Sequence, residues 1–190
     1  MNNLIVKLLK SSKTIFNISD ISILLGETNK DNLKSKISYY VKQGSLIRVA
    51  RGVFTKGKEY GVRELATSLY SPSYISFETV LRDNGLIFQH YDTLFLAGPW
   101  TLTRKINQNI FNFRKIKKEI LFNSSGINFV NNYCIADKER AFLDMIYVSP
   151  KYYFDNLSSL DWEKCFNMVK IYNNKQMVKR LNKYYKENVK

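Results

Sequence analysis

From its start the chain places apolar residues at helical spacing: Leu4, Ile5, Leu8 and Leu9 form one stripe. A β-prone run, Thr14-Ile15-Phe16, follows. Ser19 then reads as an N-cap with Asp20 in the first turn, and Ile18 and Ile23 flank it as a hydrophobic staple. This second helix carries Ile21, Leu24 and Leu25 and stops at Gly26. Thr28-Asn29-Lys30-Asp31 is a capping pattern that opens a longer helix running to about Gly44. Leu33, Ile37, Tyr40 and Val41 fall on one side of it. The other side shows Asn32, Ser35, Ser38, Tyr39 and Lys42, flanked by Lys34 and Lys36. After Gly44 the period changes to two: Leu46–Val49 reads as a strand, Ala50-Arg51-Gly52 as a turn, and Val53-Phe54-Thr55 as the returning strand. A short helix, a tight turn, a longer helix with a basic-polar outer face and then a hairpin is the order of a winged helix-turn-helix, whose second helix enters a DNA major groove.

The remainder mixes both periodicities. Residues 59–72 read as a connector, with Val62, Leu65, Ala66 and Leu69 on a short amphipathic helix ended by Ser71-Pro72. Ser76 caps a helix that Asn84-Gly85 closes. Residues 93–97, 116–122 and 127–130 alternate as strands, with turns at Gly98-Pro99 and Ser124-Ser125-Gly126. Asp137 caps a further helix that runs to Pro150. Asp144 within it, a buried carboxylate of the kind that can mark catalysis, reads rather as a structural acid paired with Arg140 one turn earlier or with the backbone. The tail reads as a helix built on Leu160, Trp162, Phe166, Met168 and Val169, then a basic one from Met177 to Val189. The expected fold is α+β: a winged helix-turn-helix over 1–58, a connector over 59–72, and a mixed α/β domain with terminal helices over 73–190.

Composition then narrows the chemistry. A hydrophobic fraction of 45%, with thirteen Tyr and twelve Phe, is enough to bury a core. The formal net charge of +14 points to a polyanionic partner. Because the chain is rich in Lys, Asn, Ile, Tyr and Phe, part of that charge is what AT-rich coding would impose. Its distribution says more: residues 1–60 carry a net +7, residues 61–150 a net +2, and residues 151–190 a net +5. The basic helix and hairpin nominate Thr28, Lys30, Asn32, Ser35, Lys36, Tyr39, Lys42, Arg48, Arg51 and Lys56 as contacts to double-stranded DNA, with Lys58 just beyond. A charged helix face can also be merely solvated, and winged helices also serve as protein-interaction modules that bind a partner without an operator.

Cys134 and Cys165 lie far apart and His90 is the only histidine, so neither a zinc site nor a disulfide scaffold is expected. Leu4–Leu9 is too short and too broken by Lys7 to be a signal-peptide core, and no apolar stretch approaches the roughly 18 residues of a bilayer span. The expectation is a cytoplasmic protein with no membrane partner. Phosphate-cradling, nucleophile-elbow and metalloprotease motifs are missing, and His90 lacks a positioned partner, so no cofactor and no enzymatic activity are expected.

Three segments in order resemble the AbiEi family, the antitoxins and transcriptional regulators of abortive-infection type IV toxin-antitoxin systems. They are Gly44–Phe54, Ser73–Leu81 with Gly85-Leu86-Ile87, and Ile135–Asp144. Phe54 stands where Tyr is usual in that family, and Lys138 where Pro is usual; Asp137 can cap as Thr would. The resemblance implies a winged helix that binds inverted repeats in the promoter of its own operon. It also implies a C-terminal domain that counters a nucleotidyltransferase-like toxin encoded beside it, without a stable complex.

Overall fold

The computed structural model describes residues 4–189. It is mixed α and β, and divides into two compact units: one runs to Leu69 and takes in Asn131–Tyr133, the other holds Tyr70–Val130 and the chain from Cys134 onward.

The first unit contains α1 (Leu4–Lys10), β1 (Ile15–Asn17), α2 (Ile18–Leu25), α3 (Lys30–Lys42), β2 (Ile47–Ala50), β3 (Val53–Thr55) and α4 (Val62–Leu69). Its sheet has the order β1-β3-β2, antiparallel throughout, so β1 becomes the third strand of the hairpin sheet. Leu4, Leu8, Phe16, Ile21, Leu33, Ile37, Leu46 and Phe54 make one core. Each such side chain contributes about 1.5–3 kcal/mol by leaving water.

Both helix starts differ from expectation. Asn17, not Ser19, caps α2: its side chain accepts from the Asp20 amide while Asp20 accepts from the Asn17 amide, both at 2.9 Å. The residues before this cap and four inside it are Phe16 and Ile21, both in the core, whereas the expected staple pair Ile18 and Ile23 is 48% and 78% exposed. Asn29 rather than Thr28 caps α3, accepting from the amides of Asp31 and Asn32 at 3.0 Å. The end of α2 is as expected, with Gly26 at φ +65°.

The segment read as a connector, residues 59–72, belongs to the first unit as far as Leu69 and to the second from Tyr70. Glu64 on α4 is buried, and its carboxylate accepts from the Thr14 amide (3.0 Å) and hydroxyl (2.6 Å), while the Gly61 amide donates to the same hydroxyl oxygen (2.8 Å).

The second unit is built from β4 (Tyr74–Ile75), α5 (Phe77–Asp83), β5 (Thr93–Gly98), β6 (Leu102–Ile106), β7 (Asn109–Lys115), α6 (Lys118–Leu121), β8 (Ile127–Val130), β9 (Tyr133–Ala136), α7 (Lys138–Val148), α8 (Trp162–Met168), a 3-10 turn (Val169–Tyr172) and α9 (Lys175–Asn188). The sheet order is β6-β7-β5-β4-β9-β8; β5 runs parallel to β7 and β4 to β9, while β6 with β7 and β4 with β5 are antiparallel. Residues 116–122, expected as a strand, instead hold helix α6: Ile116, Ile120 and Leu121 are buried at helical spacing. The strand lies just upstream as β7, with Phe111 and Phe113 inward. It pairs with β6 through a two-residue turn in which Asn107 takes φ +55°, a conformation that Asn tolerates.

Fully buried Asp144 organises this unit. Its carboxylate accepts from Tyr74 Oη (3.0 Å), Ser76 Oγ (2.8 Å), Tyr172 Oη (2.6 Å) and Arg140 Nε (3.2 Å), so Ser76 occupies the N-cap position of α5 while turning its hydroxyl to Asp144. Arg140, also fully buried, donates to Tyr74 Oη and to the carbonyls of Ile120 and Ser125. Burial pushes the Asp144 carboxyl above its ordinary value, and the guanidinium and three hydroxyls oppose that push. Gly126 lets the α6–β8 loop close over this pair: at φ +72°, a Cβ there would stand 2.8 Å from Arg140 Cβ. Asp144→Asn leaves the Arg140 charge without its counter-charge and is expected to cost about 3–5 kcal/mol. Tyr172→Phe, which removes one donor, is expected to cost about 1.5–3 kcal/mol. Urea denaturation of the two variants reads both the sizes and their order.

Candidate nucleic-acid interface

Helix α3 is anchored through Leu33 and Ile37, and that anchor divides its outward residues into two stripes. Asn32, Ser35, Lys36, Tyr39 and Lys42 form the outer stripe, all exposed. Lys30, Lys34 and Ser38 form the other, which faces the β2–β3 hairpin across a groove of about 510 Å³. Ile18, Leu33, Ile37 and Phe54 supply an apolar floor, and Arg48, Arg51 and Gly52 close the hairpin side.

Hairpin geometry sets the two arginines. Arg48 pairs across from Phe54, and its guanidinium lies 5.4 Å from that ring's centroid, a cation–π contact on the groove wall. The register shifts between Arg48 and Ala50, and Gly52 at φ +74° completes the turn that exposes Arg51. Lys30, Lys34, Arg48 and Arg51 therefore ring one groove, with no ion pair to any of them among the described residues.

The other nominated residues separate by what they touch. Lys36 donates to Glu27 (2.6 Å), so its charge is matched, and this bond together with the Asn29 amide holds the Glu27 carboxyl below its ordinary value. Tyr39 is 57% exposed and packs edge-on against Tyr40 at 5.4 Å. Thr28 is exposed just before the cap. Lys56 turns away from the groove: its amine donates to the carbonyls of Ser11 (2.6 Å) and Leu8 (3.2 Å), closing the C-terminal end of α1. Lys34, which the helical wheel treats as a flank, faces the hairpin and lines the groove. The spacing of Lys30, Lys34 and Ser38 at successive fours is the sequence signal for that stripe.

The interface holds cations, hydroxyls and an apolar floor, a set that binds anions. Among the described residues, no group of three His, Cys, Asp or Glu side chains could hold a metal. His90 is exposed beside Asp92. Burial pushes the thiols of Cys134 and Cys165 above their ordinary value. None of the described helices is long and apolar enough to cross a membrane.

Groove cations and the structural cation should respond differently to truncation. Lys34→Ala with Arg51→Ala is expected to leave stability within about 0.5 kcal/mol of the parent, because neither side chain holds a partner. Lys56→Ala is expected to cost about 1.5 kcal/mol through its lost carbonyl bonds. Urea midpoints of the two variants check this. Compared with known proteins, the chain matches no family model and no curated sequence.

Proposed function

We propose that the first unit is a winged helix-turn-helix and that the chain binds double-stranded DNA with it. In this reading α3 enters the major groove and the β2–β3 hairpin lies along the backbone as the wing. The observation that carries the reading is the ring of Lys30, Lys34, Arg48 and Arg51, four cations brought to one surface with no ion pair to any of them among the described residues. An exposed stripe of Asn32, Ser35 and Tyr39 beside them offers the hydrogen-bonding side chains that base edges require. Lys30, Lys34 and Arg51 would hold phosphates, and the outer stripe would face bases.

The resemblance to the AbiEi family extends the proposal. The chain represses its own operon by binding inverted repeats in the promoter, and its second unit counteracts a nucleotidyltransferase-like toxin encoded beside it. It does so as a cytoplasmic protein without catalysis of its own. The buried Arg140–Asp144 pair fits a structural role for the residues that carry the third segment of the resemblance.

Fluorescence anisotropy with a labelled duplex from the region upstream of the gene tests the DNA reading. Binding should weaken steeply with salt, and log K against log[salt] should lose a slope of about 0.9 for each phosphate contact removed. Lys34→Ala and Arg51→Ala should each remove about one such contact, whereas Lys56→Ala should leave the slope unchanged. Equal slopes for the parent and both groove variants would sink the assignment of these residues. Co-expression with the adjacent reading frame tests the antitoxin reading: growth should be arrested by that frame alone and restored by this chain.

A further inference from the structure

The groove between α3 and the hairpin has a feature that a phosphate backbone does not use, its apolar floor. A phosphodiester chain needs only the cations on the rim. Beneath them Ile18 offers exposed hydrocarbon, over Leu33, Ile37 and Phe54, whose side chains are buried in the core. Ile18 remains 48% exposed, so the floor keeps apolar surface in contact with water. The volume of about 510 Å³ lies within the range of small-molecule sites, which combine apolar walls with a few polar anchors. Here every charged group on the rim is a cation. The complement of such a site is an anion attached to an apolar body.

We propose that this groove is a ligand site for a small organic anion, a carboxylate or sulfonate on a body the size of a fused aromatic pair or a medium alkyl chain, and that its occupant competes with DNA. The ligand site stands on the groove's own geometry; the competition rests on the DNA reading above. The anionic group sits between Lys34 and Arg51, and the body lies against the exposed side chain of Ile18. An occupied groove has Lys34 and Arg51 engaged by the anion and its entrance filled, so the same protein holds either the ligand or the duplex.

Anilinonaphthalene sulfonate is the probe, titrated into the full chain and followed by its fluorescence. Saturable binding is expected. Its affinity should fall by about tenfold or more in Lys34→Glu with Arg51→Glu, which inverts the anion contact. Ser38→Trp, which fills the groove from an exposed helix position, should do the same. The charge-matched control Lys175→Glu with Lys179→Glu, on α9, should bind as the parent does. Anilinonaphthalene lacking the sulfonate should bind about tenfold more weakly than the dye. Undiminished dye binding in both groove variants, or equal binding of the uncharged analogue, would overturn the ligand site. If the duplex binds the protein without displacing the dye, the competition falls and the DNA reading stands. If the duplex does not bind at all, the DNA reading falls and the dye titrations alone judge the ligand site.

Discussion

The seating of Leu33 and Ile37 in the core of the first unit governs the surface that the rest of this unit presents. These two residues lie one turn apart on α3, against Leu4, Leu8, Phe16, Ile21, Leu46 and Phe54. Rotating α3 by one residue would lift both from that core and forfeit about 1.5–3 kcal/mol for each side chain. With the helix held in this rotation, the 3.6-residue period leaves no choice about Lys30, Lys34 and Ser38, which must face the hairpin. Phe54 binds the hairpin to the same core, so Arg48 and Arg51 are delivered to the opposite wall by the same burial.

That burial is also why so much of the first unit could be read from sequence. Amphipathic spacing exposes the core face of α3, and the change to period two after Gly44 exposes the hairpin. The caps were harder because Asn17 and Ser19, like Thr28 and Asn29, are all competent to cap. Selection among them depends on which neighbour the core accepts, and Phe16 and Ile21 settle it for α2. The groove was less legible than the helix. A wheel drawn for α3 alone makes Lys34 a flank and Lys36 an equal, yet Glu27 neutralises one and the hairpin adopts the other. Lys56 looked like part of the hairpin's charge, but its partners are carbonyls some 45 residues earlier, a separation that no local pattern encodes.

In the second unit one hidden element is a strand with no buried residue. Strand β6 runs along the sheet edge with Thr103, Arg104 and Lys105 exposed, so its alternation vanishes into polar residues. The buried Arg140–Asp144 pair is the reverse case, visible as a spacing of four while its importance was not. A buried ion pair adds little net stability over an apolar replacement, but it tolerates few arrangements. Here it gathers β4, the loop before β8 and the 3-10 turn around one carboxylate and one guanidinium. Gly126 is the steric counterpart of that demand, the place where the loop must pass too close for any side chain.

The ring of Lys30, Lys34, Arg48 and Arg51 makes the protein respond to ionic strength in two ways. Like charges held around one groove repel each other, and dissolved salt relieves that repulsion in the unbound protein. The same salt weakens the hold of those charges on any anion. Screening therefore favours the empty state from both sides, by easing its internal repulsion and by loosening its partner. A bound anion does the converse, supplying the counter-charge that the chain itself omits. The first unit thus holds four like charges around one groove, with no ion pair to any of them among the described residues.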